Sequence, residues 1–158
     1  SLARGGEKIL CAFAGIGSFP VVLAKHISAS IYAVEISRVA FEFMEKNIKA
    51  NKVADRIRVF CGDVRDVLPK LGEKFDRVIM PTPKGKISER FRFLKLGMSY
   101  LQERGTMHYY TFASESEIEK WRERGLKIKN CGSYAPSVYR IVIDMPGNFK
   151  TLDLDVKP

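Results

Sequence analysis

Lys8-Ile9-Leu10-Cys11-Ala12-Phe13 is an apolar run that stops at Ala14-Gly15-Ile16-Gly17, and a helix-like pattern from Phe19 to His26 follows at once. A strand that turns through glycines straight into a helix belongs to a parallel sheet with crossover helices. Pro20 is tolerated because it falls in the first helical turn, whose N–H groups have no intrahelical acceptor. The unit then repeats. Ser30-Ile31-Tyr32-Ala33-Val34-Glu35 is a second apolar run closing on a carboxylate, and Ser37 is a good N-cap for a helix from Arg38 to Asn51. In that helix Val39, Phe43, Lys46 and Ala50 follow helical spacing, and Phe41, Met44 and Ile48 widen the apolar stripe. Ile57 to Cys61 predicts a third strand ending in Gly62-Asp63, and Phe75 to Met80 a fourth, stopped by Pro81. A helix from Glu89 to Leu101, a strand from Gly105 to Phe112 and a helix from Glu115 to Arg124 follow. Leu126 to Tyr134 and Tyr139 to Met145 form a hairpin-like pair around Ala135-Pro136-Ser137.

Strands alternating with helices predict an α/β, Rossmann-like fold, a mostly parallel sheet with helices on both faces. The 158 residues, 46% of them apolar, suit one core, expected over residues 1–147 with a C-terminal tail at 148–158. No apolar run approaches the roughly 20 residues that span a bilayer, and no signal-like segment opens the chain, so a cytoplasmic protein is expected. The start at Ser1, almost directly before a strand, suggests a piece of something longer. Cys11, Cys61 and Cys131 are odd in number and far apart, without a CxxC pair, which argues against disulfides or a metal site and for reduced, buried thiols. Twenty-seven Lys+Arg against 18 Asp+Glu leave a formal charge of +9, a balance that favours a polyanionic partner.

In such a sheet the ligand sits beyond the carboxyl ends of the strands. The Gly15/Gly17 loop, Glu35, Asp63 and the Pro81-Thr82-Pro83 turn all fall at such ends and converge on one cleft. Gly15-Ile16-Gly17-Ser18-Phe19-Pro20 begins like a dinucleotide fingerprint, and Glu35 stands where a ribose-binding acid is expected. Pro20 replaces the third glycine, which weakens a pyrophosphate site and leaves room for a nucleoside without phosphate. S-adenosylmethionine fits that description, with the loop under its amino-acid moiety, Glu35 accepting from both ribose hydroxyls, and Asp63 with Val64 at the adenine edge. The competing explanation is a plain strand-to-helix turn with Glu35 as a solvated acid.

Phe13-Ala14-Gly15-Ile16-Gly17, Tyr32-Ala33-Val34-Glu35-Ile36, Asn47 with Asn51, Gly62-Asp63-Val64-Arg65, Asp76 to Met80, His108-Tyr109-Tyr110 and Ser133-Tyr134-Ala135-Pro136 occur in this order along the chain. On these motifs, from Lys8 to Met145, the sequence resembles the archaeal and eukaryotic tRNA (guanine-N1)-methyltransferases that modify the guanosine 3′ of the anticodon. The resemblance implies a class I methyltransferase catalytic domain, with seven strands and an antiparallel last strand. It also implies S-adenosylmethionine as cofactor and tRNA as partner; a monomer is expected. Carried over residue by residue, it marks Phe13, Ala14, Gly15, Gly17, Glu35, Ile36, Gly62, Asp63 and Val64 as cofactor-binding and Pro81, Thr82 and Pro83 as the substrate turn. Transfer of the aminocarboxypropyl arm in wybutosine synthesis, or a catalytically weak module that binds cofactor and RNA, are the alternatives.

Two positions depart from that pattern. Cys11 stands where an acid usually closes the first strand, and Pro81 replaces an Asn whose amide could bond the cofactor or the target base. The Glu and Arg that the family places before the glycine loop have no match here, since Glu7 does not fit the position, and the small N-terminal tRNA-binding domain has no counterpart. Lys84, Lys86, Arg90 and Arg92, with Lys95, border the cleft as candidate phosphate contacts. A second basic set, Arg122, Arg124, Lys127 and Lys129, is explained by the dipole of the helix end it follows. His108, Tyr109 and Tyr110 are expected to be structural, because neighbouring tyrosines on a strand point to opposite faces.

Overall fold

A computed structural model describes residues 3–81 and 87–149, the side chains of residues 87–90 excepted. Seven strands and five helices alternate among these residues: β1 (Lys8–Ala12), α1 (Ser18–His26), β2 (Ser30–Glu35), α2 (Arg38–Ala50), β3 (Ile57–Cys61), α3 (Val64–Leu71), β4 (Phe75–Pro81), α4 (Ile87–Ser99), β5 (Leu101–Ser114), α5 (Glu115–Glu123), β6 (Lys127–Ala135) and β7 (Val138–Pro146). They build one sheet in the order β3-β2-β1-β4-β5-β7-β6. β1 to β5 run parallel, whereas β7 is antiparallel to both β5 and β6. The expected seven-stranded sheet with an antiparallel last strand is what the chain forms.

The central strands β1, β2 and β4 are buried on both faces because alternate residues feed two cores, whereas β6 at the sheet edge is largely exposed. Leu10, Val78, Met80 and Ile143 pack with Leu68, Leu94 and Ile118 from α3, α4 and α5. Ile9, Cys11, Ile31 and Ile79 pack with Val21, Ala24, Met44 and Ile48 from α1 and α2 on the other side. Two helices thus cover β3-β2-β1 on one face, and three helices cover the opposite face.

Several boundaries and packing faces differ from the sequence reading. Helix α3 is absent from that reading: Pro69 sits inside it and obscures the period, while Asp63 caps its N-terminus by accepting from the Arg65 amide at 2.8 Å. β5 begins at Leu101, which the apolar spacing assigns to the preceding helix, and pairs there with Phe75. A Cβ at Gly105 would lie 2.8 Å from the Asp76 carbonyl oxygen, so this strand must pass its neighbour without a side chain at that point. In α2 the buried stripe is Phe41, Met44 and Ile48, while Val39 and Phe43 are 64% and 51% exposed. Of the three free thiols only Cys11 is buried, and Cys61 and Cys131 face solvent at β3 and at the β6 edge strand.

Candidate functional site

The loop after β1 is held by local geometry. Phe13, Gly15 and Gly17 take φ of 53°, 57° and 89°, the left-handed region that costs a non-glycine residue most. A Cβ at Gly17 would come within 2.8 Å of Met44 Cγ, so the glycine lets the loop lie against α2. Asn47 Nδ2 donates to the Ile16 carbonyl at 2.8 Å and ties the loop to that helix. At Gly15 an added Cβ would meet nothing within 4 Å, so bare backbone borders open space there.

Glu35, 8% exposed at the end of β2, links this loop to the next turn. Its Oε2 accepts from the Gly15 amide at 2.7 Å and its Oε1 from the Ser37 amide at 2.8 Å. Each carboxylate oxygen keeps a further lone-pair direction. A loop amide already engaged by a carboxylate is a poor phosphate site, whereas sugar hydroxyls and a cationic group are compatible with that charge. Asp63 lies at the end of β3; its bond with the Arg65 side chain, partly opposed by burial, holds its carboxyl below the usual range and keeps it ionised. Asp63, and Val34 and Ile36 on either side of Glu35 in the chain, line a cavity of about 410 Å³. Its walls are Phe13, Val34, Ile36, Gly62, Asp63, Val64 and Arg65 on the strand side and Arg92, Phe93 and Leu96 from α4. Phe13 and Phe93 meet edge to face at 4.9 Å.

The structure therefore brings Phe13, Ile36, Gly62, Asp63 and Val64 to one cavity, with Ala14, Gly15, Gly17 and Glu35 in the loop and turn beside it. Arg92, expected as a phosphate contact, stands on the cavity wall. Sequence reasoning misses Arg65, Phe93 and Leu96 as wall residues; the only signal for the last two is that they share a helix with Arg92 at close spacing. Pro81 ends β4 opposite Tyr110 and borders a separate cavity. Thr82, Pro83, Lys84 and Lys86, and the side chain of Arg90, lie outside the described residues.

Cys11 and His108 take the structural roles expected of them. Burial drives the Cys11 thiol far up, so a neutral group closes β1. Arg77 makes two bonds to Glu7, at 2.8 and 2.9 Å, and contacts His108 Nε2, while His108 Nδ1 lies 2.6 Å from Asp144. Nδ1 donates to Asp144 and Nε2 accepts from the guanidinium, which requires the neutral ring. Burial, reinforced by Arg77 and opposed by Asp144, lowers the His108 pKa accordingly. Among the described residues no group of three His, Cys, Asp or Glu side chains is arranged to hold a metal, and no helix is long and apolar enough to cross a membrane.

Comparison with known sequences decides what this arrangement belongs to. The profile of the TRM5/TYW2 methyltransferase domain matches residues 1–132. The chain belongs to that family. Among its TRM5/TYW2 relatives, the tRNA (guanine(37)-N(1))-methyltransferase Trm5b of Pyrococcus abyssi is 33% identical, covering 94% of this chain and 46% of its own length. The tRNA(Phe) (4-demethylwyosine(37)-C(7)) aminocarboxypropyltransferase of Methanocaldococcus jannaschii is 32% identical over 90% of this chain and 61% of its own. The crystal structure of M. jannaschii TYW2 in complex with AdoMet superposes with a TM-score of 0.75 at 29% identity, covering 90% of this chain and 69% of that one. The chain thus spans about half to two thirds of the length of these relatives. The seven-stranded class I architecture and the family are settled by these matches; methyl and aminocarboxypropyl transferases stand at similar identity.

Proposed function

We propose that this domain binds S-adenosylmethionine across the Gly15–Gly17 loop and the 410 Å³ cavity, and methylates N1 of a tRNA guanine next to the anticodon. The observation that carries the reading is Glu35: a buried carboxylate, fixed by two backbone amides, beside a bare glycine backbone and an apolar slot that ends in a second acid. Bound there, S-adenosylmethionine supplies an electrophilic methyl group on its sulfonium. Glu35 accepts from the ribose hydroxyls with its remaining lone pairs, and ionised Asp63 accepts from the adenine amine. Phe13, Ile36, Val64 and Phe93 keep water from the faces of the base. Gly15 and Gly62 present backbone without a side chain, Gly17 lets the loop lie against Met44, and the small Ala14 keeps the loop close to the cofactor. Uncharged Cys11 adds no carboxylate beneath the loop.

Holding the guanine near the methyl group converts a bimolecular step into an effectively unimolecular one. The N1 proton must also leave, and a positioned base contributes roughly 10²–10⁴-fold to such a step. Glu7 does not serve, since it stands before the amino end of β1 with both oxygens on Arg77. Pro81, with Thr82 and Pro83, is proposed to border the target base, and Lys84, Lys86, Arg90 and Arg92 to carry tRNA phosphates. Replacing pairs of these cations should reduce the salt dependence of tRNA binding by about 0.7–0.9 for each phosphate no longer neutralised.

The second reading, aminocarboxypropyl transfer, has the M. jannaschii relative in its favour. Incubation with an unmodified tRNA transcript and S-adenosylmethionine, followed by nucleoside mass analysis, separates the two. Gain of a methyl on guanine supports the proposal. Gain of an aminocarboxypropyl group on a wyosine-precursor tRNA supports the second reading. An unmodified transcript in both cases leaves a binding module and overturns both.

A further inference from the structure

On the half of the sheet that no helix covers among the described residues, cross-strand register sorts side chains by chemistry. Phe112 lies opposite Arg140, Tyr110 opposite Val142, and His108 opposite Asp144 on β5 and β7. β6 continues these rows with Lys129 opposite Val142 and Lys127 opposite Asp144. Directly paired residues share a face. Their neighbours Tyr109, Ile141, Ile143 and Ile128 point the other way, into the core beneath α3, α4 and α5. This face therefore carries three exposed cations, Lys127 and Lys129 on β6 and Arg140 on β7, with Phe112 and Tyr110 on the neighbouring β5.

The rings are arranged to receive something flat. Phe112 and Tyr134 sit 4.4 Å apart at 46°, and Tyr134 is 63% exposed, so one face of this pair is open to solvent. The Arg140 guanidinium lies 5.9 Å from the Phe112 ring centre. Next to this pair a cavity of about 280 Å³ is lined by Phe19, Pro81, Tyr110, Thr111, Phe112 and Arg140. The Phe19 and Tyr110 rings meet in its wall, 5.0 Å apart. The row of rings thus runs from the first turn of α1, past the end of β4, to the hairpin. Exposed rings beside a strip of cations are the composition of sites that hold unpaired nucleic acid, in which bases stack on rings and cations follow the phosphates. A protein partner would be expected to leave a more apolar and less charged centre to such a patch.

Resting on the reading that RNA is the substrate, we infer that the Phe112–Tyr134 pair with Arg140 is a stacking platform for an unpaired nucleobase flanking the target, and that Lys127 and Lys129 carry the adjoining phosphates. The dipole of α5 accounts for Arg122 and Arg124 at its C-terminal end; the two lysines instead lie on β6, in the ladder rows of the platform.

Fluorescence anisotropy of a labelled unmodified tRNA transcript, with melting curves to confirm folding, tests this. Tyr134→Ala should weaken binding roughly 5- to 150-fold, the equivalent of about 1–3 kcal/mol per stacked base, with the salt slope unchanged. Tyr134→Phe, which keeps the ring, should bind as the wild type does. The double variant Lys127→Gln/Lys129→Gln should lower the slope by about 1.4–1.8, for two phosphates. If wild-type protein modifies tRNA while Tyr134→Ala binds it as tightly, the platform is refuted and the functional reading stands. If wild-type protein leaves every tRNA unmodified, the functional reading itself fails.

Discussion

Glu7→Gln is a small change with a large expected effect. Glu7 precedes β1 and grips Arg77 of β4 through two bonds of 2.8 and 2.9 Å, with the two side chains 15% and 6% exposed. The bond to Arg77, outweighing the burial that opposes it, lowers the Glu7 pKa, so the pair is ionised. Gln keeps one acceptor oxygen but turns its NH₂ toward a guanidinium nitrogen, leaving one charged donor unpaired in a nearly dry site. Losing one hydrogen bond to a charged partner costs about 1.5–3 kcal/mol. In a chain of 158 residues that corresponds to a fall in Tm of roughly 3–12 °C. Because Arg77 also faces His108, and His108 faces Asp144, the loss extends across β1, β4, β5 and β7. The assay is calorimetric melting of both proteins at neutral pH, with S-adenosylhomocysteine titrated into each. A melt within about 1 °C of wild type, well below that expected fall, would refute the network as a structural clamp. So would unchanged stability with loss of cofactor binding, which would move Glu7 into the cleft.

Acid should weaken the same clamp in two stages. His108 is neutral in the fold with its pKa below 6.5, so its contribution is complete above that pH and is lost as the pH falls from there; Glu7, lowered from 4.5, follows at lower pH. Melting curves from neutral pH down to about pH 4 should show His108→Gln losing the first decline, and an unchanged profile would contradict this. Gly17→Ala, forced into φ of 89° with its Cβ 2.8 Å from Met44, should cost about 1–2 kcal/mol from backbone strain alone and lower the melt accordingly. Asn47→Ala removes only the tie to the Ile16 carbonyl, so it should leave the melt nearly intact while weakening S-adenosylhomocysteine binding several-fold by calorimetry.

What the sequence discloses follows from local period. The strands β1 to β4 are legible because each is a short apolar run between turn residues, β6 and β7 because they flank a turn at Ala135-Pro136-Ser137, and the cleft because Gly15, Glu35 and Asp63 follow or close those runs. Helix α3 is hidden by Pro69 at its sixth position, and Leu101 is apolar enough to suit either α4 or β5. In α2 both possible stripes are apolar, so spacing alone does not show that Met44 turns inward against Gly17 and Phe43 outward. The Glu7–Arg77 and His108–Asp144 pairs join residues 70 and 36 apart, and no period along one element reports them. Arg65 and Phe93 reach the cavity from two different helices for the same reason.

The central claim is that the cofactor lies between Glu35 and Asp63, and titration calorimetry with S-adenosylhomocysteine on wild type, Glu35→Gln and Ile36→Asp tests it most directly. Gln at position 35 retains shape but loses charge on the ribose hydroxyls and on the Gly15 and Ser37 amides, so affinity should fall roughly 10- to 150-fold, about 1.5–3 kcal/mol. Ile36→Asp, at a side chain 61% exposed on the cavity wall, should leave the melt in place and still reduce affinity by putting a second charge beside the adenine. Wild-type affinity in both variants would place the cofactor elsewhere and contradict the account.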